Sequence, residues 1–368
     1  MASHDPPQDS FPRAPLLPAT LRLARAAEVA VPSKALHRRG FIIVKLPPEI
    51  LEMSARVIET IRPFFAGTNT AKSAYRTPQD GERVLSHPGY LTPSPGWTEL
   101  FEVRRSKCDP HYRFPPGCEA PCMRLFDDLR ALAIRWLALL SVHVYGDEHV
   151  LPQLATADTG PATMRVIHYD QVPELGAQLQ QIEQRSALRR EAERTLMAGF
   201  PTHTDGSLVT LAPRAMLSGL AVRDFADDRW LRLERHMAAD EAVLFGGDPL
   251  AFCTRHYFPA CMHRPDALEM CRSAPSTRMA TPLFLYPDSE VIFDSTRVRM
   301  ELRAPDGAEL PPAGRLHERD FRLNVGQCRE RWAWKQLPYY AGLVLCRDSD
   351  YFPGRDLEGE MVYGDDGQ

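Results

Sequence analysis

From residue 203 to residue 287 the chain is a succession of short apolar runs, each closed by Gly, Pro, Asp or a charged residue. His203-Thr-Asp-Gly-Ser-Leu-Val-Thr-Leu211 turns at Gly206-Ser207 and continues as a β-branched, apolar strand. Gly219-Leu-Ala-Val222 and Trp230-Leu-Arg-Leu233 read as a pair of short strands around Asp227-Asp228. Residues 242–254 hold two apolar runs hinged at Gly246-Gly-Asp-Pro249, and a last strand runs from Thr277 to Leu285. Many short strands with turn residues between them imply a β-sandwich or jelly roll. Such a barrel gathers strand ends around one mouth, so side chains far apart in sequence can meet there.

Two of these strand ends carry three metal-ligating residues. His203 and Asp205 flank Thr204, and 57 residues separate Asp205 from His263. One His-x-Asp tripeptide is expected by chance in a chain with 12 His, and alone it reads as a surface turn. Its place at a strand start, with a second strand-borne His downstream, favours a metal site. Two imidazoles and one carboxylate on one face of an ion leave the opposite face open, which suits non-haem Fe(II) with room for O₂ and a cosubstrate. Arg278 follows His263 by fifteen residues, in an apolar strand. A fixed guanidinium beside the metal matches a dicarboxylate cosubstrate. Arg272 is a weaker candidate for that role, because no apolar run follows it directly.

These motifs resemble the core of the isopenicillin N synthase-like family of Fe(II)/2-oxoglutarate dioxygenases. The matching elements are His203-Thr-Asp205, Gly219-Leu-Ala-Val222 ahead of Trp230, Gly247-Asp248-Pro-Leu250, His263-Arg264, Arg278-Met-Ala280 and Leu283-Phe-Leu-Tyr-Pro287. Upstream, Arg38-Arg-Gly-Phe-Ile-Ile-Val-Lys-Leu-Pro47 and Gly89-Tyr90 with Trp97-Thr-Glu-Leu-Phe-Glu102 resemble family segments, so the likeness spans about residues 30–294. The His263–Arg278 spacing and Gln171-Val-Pro-Glu174 are similar to the cephalosporin-forming members. The resemblance implies a double-stranded β-helix, mainly β with a helical wrap and an N-terminal α/β region. It implies Fe(II) on His203, Asp205 and His263, and 2-oxoglutarate held by Arg278 and Tyr169. It also implies O₂ as oxidant, ascorbate as a stimulating reductant, and a small-molecule metabolite as substrate, oxidised by hydroxylation, desaturation or ring expansion. One departure is Ala280, where the family's Arg-x-Ser carries a hydroxyl to the cosubstrate carboxylate. A lost charge-assisted bond costs about 1.5–3 kcal/mol if nothing replaces it. Two rival readings stay open: an oxidase of the same fold that uses no 2-oxoglutarate, and a binding protein that kept the fold without catalysis.

The rest of the chain fits that expectation. The formal net charge is −4 with both signs mixed, so no nucleic-acid partner is expected. No run of 18 apolar residues calls for a membrane span, and the first residues show no basic-then-apolar signal pattern, so a cytoplasmic location is expected, with a monomer or weak homo-oligomer as the expected state. The eight Cys lack paired zinc spacing and are read as thiols.

The expected organisation has four parts: a disordered tail over 1–20, a helical and mixed region over 21–150, the jelly-roll core over 151–294, and a C-terminal extension over 295–368 packed on that core. Residues 49–65 and 122–140 have helical periodicity, with Leu125, Leu129, Leu132, Trp136 and Leu140 on one stripe. Residues 66–120 read as loop-rich. Residues 178–197 read as a charged helix that could close over the barrel mouth. His143 to His149 reads as a solvated loop, and Gly246-Gly-Asp248 as a hinge with no helix after it. On the strand ending at Tyr169, alternation turns His168 away from the site and Arg165 towards it. Arg165 is therefore a candidate substrate-binding residue or one half of a structural ion pair.

Overall fold

The structure, a computed structural model, describes residues 13–14, 26–76, 88–94, 98–105, 112–155, 162–169, 298, 322–324, and 202–294 apart from 228, 256, 267–268, 271–276 and 289–290. Among the described residues, fourteen strands run from β1 (Arg13–Ala14) to β14 (Arg322–Asn324). The main sheet has the order β1, β2 (Phe41–Lys45), β9 (Glu241–Gly246), β6 (Val209–Pro213), β12 (Leu283–Leu285), β5 (Ala162–Tyr169), β4 (Thr98–Val103), β3 (Gly89–Ser94), with β11 (Arg278–Ala280) also on β5. A smaller sheet has the order β10 (His263–Pro265), β7 (Leu220–Asp224), β8 (Arg229–Arg232). β13 (Ile292–Asp294) pairs antiparallel with β14.

The main sheet is covered on both faces, which explains why its strands read as unbroken apolar runs. Alternate residues go to opposite sides. Ile42 and Val44, Leu244, Val209 and Leu211, Met164 and Val166, Met279, and Leu283 and Leu285 join one core cluster with the helices. Their neighbours Phe41, Ile43, Val243 and Phe245 pack instead against Val222 and Leu231 of the small sheet. A third group, Leu100, Ile167, Tyr169 and Met270, lies on the inner side of β4 and β5.

The helical layer follows its periodicity. Helix α2 (Pro48–Phe65) starts on a Pro, whose missing N–H costs nothing there, and buries Ile50, Val57, Ile58, Ile61 and Phe65. After α1 (Ala26–Arg39) and α2, α3 (Asn69–Ser73) is a single short turn. Helix α4 (Glu119–Tyr145) buries all five residues of the expected stripe and ends on Gly146 at φ +71°, the left-handed position that glycine takes without strain. Among the described residues no helix is long and apolar enough to cross a membrane.

Several local expectations are corrected. Arg13–Ala14, within the tail expected to be disordered, forms a parallel strand on β2, because Arg13 pairs with buried Glu241 at 2.8 Å and donates to the His236 carbonyl. The region read as loop-rich contributes β3 and β4; β4 is buried along its whole length between β3 and β5. His143 lies in the last turns of α4 rather than in a solvated loop, and its Nε2 lies 2.8 Å from the Tyr257 hydroxyl. A short helix, α5 (Asp248–Cys253), does follow the Gly246-Gly247 hinge, with Pro249 in its first turn. Cys118, Cys122, Cys253 and Cys261 are buried thiols. Residues 171–200 and nearly all of 295–368 lie outside the described residues, and with them the expected closing helix and the Gln171–Glu174 stretch.

Candidate active site

The backbone brings the two histidines together. His203 and His263 form an isolated antiparallel bridge, with N–H to carbonyl distances of 3.1 and 3.0 Å in the two directions. His263 opens β10 of the small sheet, while His203 precedes β6 of the main sheet, so the bridge joins the two sheets at their ends. The imidazole centroids are 4.4 Å apart. Each Nε2 lies 3.6 Å from the same oxygen of Asp205, Oδ1. One donor atom from each of the three residues falls within 4.8 Å of the others. Two donors sharing one ion at about 2.1 Å sit roughly 3–4 Å apart, so the donor set fits a single divalent metal.

The supporting contacts select which atoms face that point. The Nδ1 of His263 lies 3.2 Å from the Cys261 carbonyl, an interaction that puts the proton on Nδ1 and leaves Nε2 as the lone-pair donor. Thr210, on the inward side of β6, donates its hydroxyl to Asp205 Oδ2, and its oxygen lies 2.9 Å from the Ser207 hydroxyl. Asp205 is thereby held by one oxygen and presents the other. The Asp205 carbonyl accepts the Asp248 N–H at 2.8 Å, which ties the turn to the start of α5. A Cβ at Gly247 would sit 2.1 Å from the Ser207 carbonyl oxygen and 2.5 Å from that of Asp205. No side chain fits there. Gly247→Ala is therefore expected to destabilise the fold by about 3 kcal/mol and to weaken divalent metal binding at the same time. Chemical denaturation and an Mn(II) titration would show it; an Ala variant with wild-type values for both would refute this account of the hinge.

Arg278 and Tyr169 are cross-strand partners on β11 and β5. The guanidinium carbon lies 5.0 Å from the Tyr169 ring centroid. Burial works against the Arg278 charge, but Glu234 and Tyr169 outweigh it and hold the group above its ordinary range. Arg278 Nη2 donates to both oxygens of Glu234, at 2.9 and 3.1 Å, and Nε donates to the Leu217 carbonyl at 3.2 Å. Sequence reasoning missed Glu234, which lies 44 residues away in a 3-10 turn (Leu233–His236) with no motif around it. Ala280 sits on the same inner face as Arg278, as β11 alternation requires. Arg272, the weaker candidate, lies outside the described residues.

Arg165 is ion-paired: its Nε donates to Glu102 Oε2 at 2.9 Å, and Arg104 pairs with the other oxygen. Its guanidinium also lies 5.0 Å from the Phe284 ring centroid. Burial opposes the Arg165 charge, yet Tyr286, Glu102 and Asp205 together raise its pKa. The cation therefore stays inside the barrel and within electrostatic reach of the candidate metal ligand. His168 faces away, as alternation demands, and stacks on Phe65 of α2 at 5.1 Å.

With this geometry in hand, the comparisons with known proteins agree on an architecture. No family model matches the chain. A 2-oxoglutarate-dependent dioxygenase of Arabidopsis thaliana, AOP3, is 28% identical over 116 residues, which is 32% of this chain and 27% of that protein. The chain thus matches about a quarter of that relative's length. A full-length Neurospora crassa protein, solved in complex with alpha-KG, superposes with a TM-score of 0.57 at 18% identity over 83% of this chain and 90% of its own. JOX2, solved with 2OG, Fe and JA, gives a TM-score of 0.54 at 19% identity over 81% of each chain. The rice dioxygenase for auxin oxidation gives 0.57 at 16% identity over 88% of this chain and 95% of its own. The fold is the double-stranded β-helix of the 2-oxoglutarate/Fe(II) oxygenases, with a His-Asp-His cluster at the meeting point of its two sheets.

Proposed function

We propose that this chain is an Fe(II)- and 2-oxoglutarate-dependent dioxygenase that oxidises a small metabolite in specialised biosynthesis, acting in the cytoplasm as a monomer or weak homo-oligomer. The observation that carries the reading is the convergence of His203, Asp205 and His263 on one point, with Thr210 and the Cys261 carbonyl fixing the atoms they offer. His203, Asp205 and His263 would hold the iron. Bound there, iron and 2-oxoglutarate supply a strong oxidant from O₂, with release of succinate and CO₂. Arg278 and Tyr169 would take the far carboxylate of 2-oxoglutarate. The buried Leu100 and Ile167 beside them exclude water from that end of the barrel. Arg165, held by Glu102 on the same inner face, would orient a substrate bearing a carboxylate or another anionic group.

The test is an O₂-uptake assay with Fe(II), 2-oxoglutarate and ascorbate, read out as succinate. Succinate released in proportion to O₂ consumed supports the reading. The pairing of Arg278 with Glu234, together with Ala280, favours a second reading as an oxidase that needs no 2-oxoglutarate. O₂ consumption on a substrate without any 2-oxoglutarate would select it. For the substrate anchor, Arg165→Ala should raise the KM for an anionic substrate about 10- to 100-fold while leaving that for 2-oxoglutarate alone, as expected for one charge-assisted contact. Equal changes in both would assign Arg165 a purely structural role.

A further inference from the structure

Glu234 is 2% exposed, yet its carboxylate receives five hydrogen bonds. Oε1 accepts from the Ala215 N–H at 3.1 Å and from Arg278 Nη2 at 2.9 Å. Oε2 accepts from the Gly219 N–H at 2.7 Å, the Leu220 N–H at 2.9 Å and Arg278 Nη2 at 3.1 Å. A carboxylate has about four lone-pair sites, so this one is saturated and cannot turn. Three of its donors are backbone amides of the segment that leads from β6 into the first residue of β7. The same segment supplies the Leu217 carbonyl to Arg278 Nε. At Gly219 a Cβ would lie 2.6 Å from Arg278 Cδ and 2.7 Å from Nε, so the arginine stem lies directly against that backbone.

We propose that Glu234 is the positioning residue for Arg278, anchoring the 215–220 segment and the guanidinium together so that Arg278 meets the far carboxylate of 2-oxoglutarate in one orientation. The inference rests on the proposed dioxygenase reading. In a buried site, an arginine with a flexible stem loses orientation unless some of its N–H groups are tied down. Glu234 and the Leu217 carbonyl tie down Nη2 and Nε, and because the guanidinium is planar this also fixes the direction of the Nη1 donors. This supplies an orienting contact in a chain where Ala280 offers no hydroxyl. It also makes an unusual demand: the anion must bind beside a cation whose charge is already balanced. Directional N–H donation, more than net charge, then has to carry recognition.

The sign of one substitution separates positioning from charge tuning. Removing the Glu234 charge alone would strengthen the pull of Arg278 on a dianion. Glu234→Gln, however, places an NH₂ where only donors point, which dislodges both the 215–220 amides and the guanidinium. The experiment is calorimetric titration of the Mn(II)-loaded protein with 2-oxoglutarate and with 2-oxobutyrate, which lacks the far carboxylate. Positioning predicts that Glu234→Gln weakens 2-oxoglutarate binding about 10- to 100-fold, with 2-oxobutyrate and Mn(II) affinities within about twofold of wild type. Added to Arg278→Ala, the same change should weaken 2-oxoglutarate no further, because both act through one contact. Unchanged or tighter 2-oxoglutarate binding in Glu234→Gln, with Arg278→Ala weakened, would overturn the positioning role and leave the dioxygenase reading standing. No effect of Arg278→Ala would instead remove the clamp on which both rest. Equal loss of both 2-oxo acids would mean collapse of the site, against the proposal. Should Glu234→Gln not fold, Gly219→Ala keeps the N–H that donates to Glu234 while its Cβ pushes on the Arg278 stem and on Met270 Cγ. It should show the same selective loss, and normal 2-oxoglutarate binding in it would equally overturn the proposal.

Discussion

Replacing His203, Asp205 or His263 with Ala is expected to abolish turnover and to lower divalent metal affinity by more than about 100-fold, since even outer contacts to metal ligands are worth about 10- to 100-fold. The fold should survive, because the sheets meet through the backbone bridge between His203 and His263, which a side-chain change leaves in place. Asp205→Ala is the most informative of the three. Both imidazoles approach its Oδ1, so its loss removes the only negative ligand of the cluster. Thr210→Val provides a graded control. It deletes the hydroxyl that holds Oδ2 without removing a ligand, and should cost metal affinity about 10- to 100-fold. Mn(II) titration, circular dichroism and succinate release together read these effects. Turnover in any of the three Ala variants would rule out the metal assignment.

Arg278→Ala should raise the 2-oxoglutarate requirement by about one to three orders of magnitude, the equivalent of a shielded charge-assisted pair worth roughly 2–4 kcal/mol. The structure adds a second consequence. Glu234 would keep its three backbone donors but lose its counter-charge at 2% exposure, so stability should fall as well, by about 3 kcal/mol or more. Ala280→Ser places a hydroxyl on the same inner face and should be neutral or tighten cosubstrate binding. Steady-state kinetics in 2-oxoglutarate alongside chemical denaturation separate the two effects of Arg278→Ala. A normal 2-oxoglutarate KM in that variant would leave the oxidase reading as the better one.

Much of the site is legible in the sequence because its signals are local. A strand exposes its period in two residues, so the opposed directions of His168 and Arg165 follow from their places on β5 relative to Tyr169. The α4 stripe is a five-residue pattern of one helix. The elements that sequence reading misses lack a local signature. Residues 98–103 hold two Glu in a strand buried along its length, a composition that argues against the interior until Lys72 and Arg165 are seen to pair with them. The α5 helix is too short for periodicity to declare itself. His143 groups with the polar residues after it when read along the chain, although its ring is placed by Tyr257, more than a hundred residues on.

By itself, then, the order of residues determined the strand rhythm of 203–287, the donor types at 203, 205 and 263, and which side of each strand carries them. Those properties depend on backbone geometry and side-chain chemistry within a few residues. Only the tertiary structure decided that Asp205 offers Oδ1 and not Oδ2, that Gly247 must lack a side chain, and that Arg278 is tied to Glu234 while Arg165 is tied to Glu102. Each is a pairing of groups between 5 and 63 residues apart, made where buried charge must find a partner or be excluded. Which partner it finds is set by the closure of the two sheets, which no local stretch of sequence encodes.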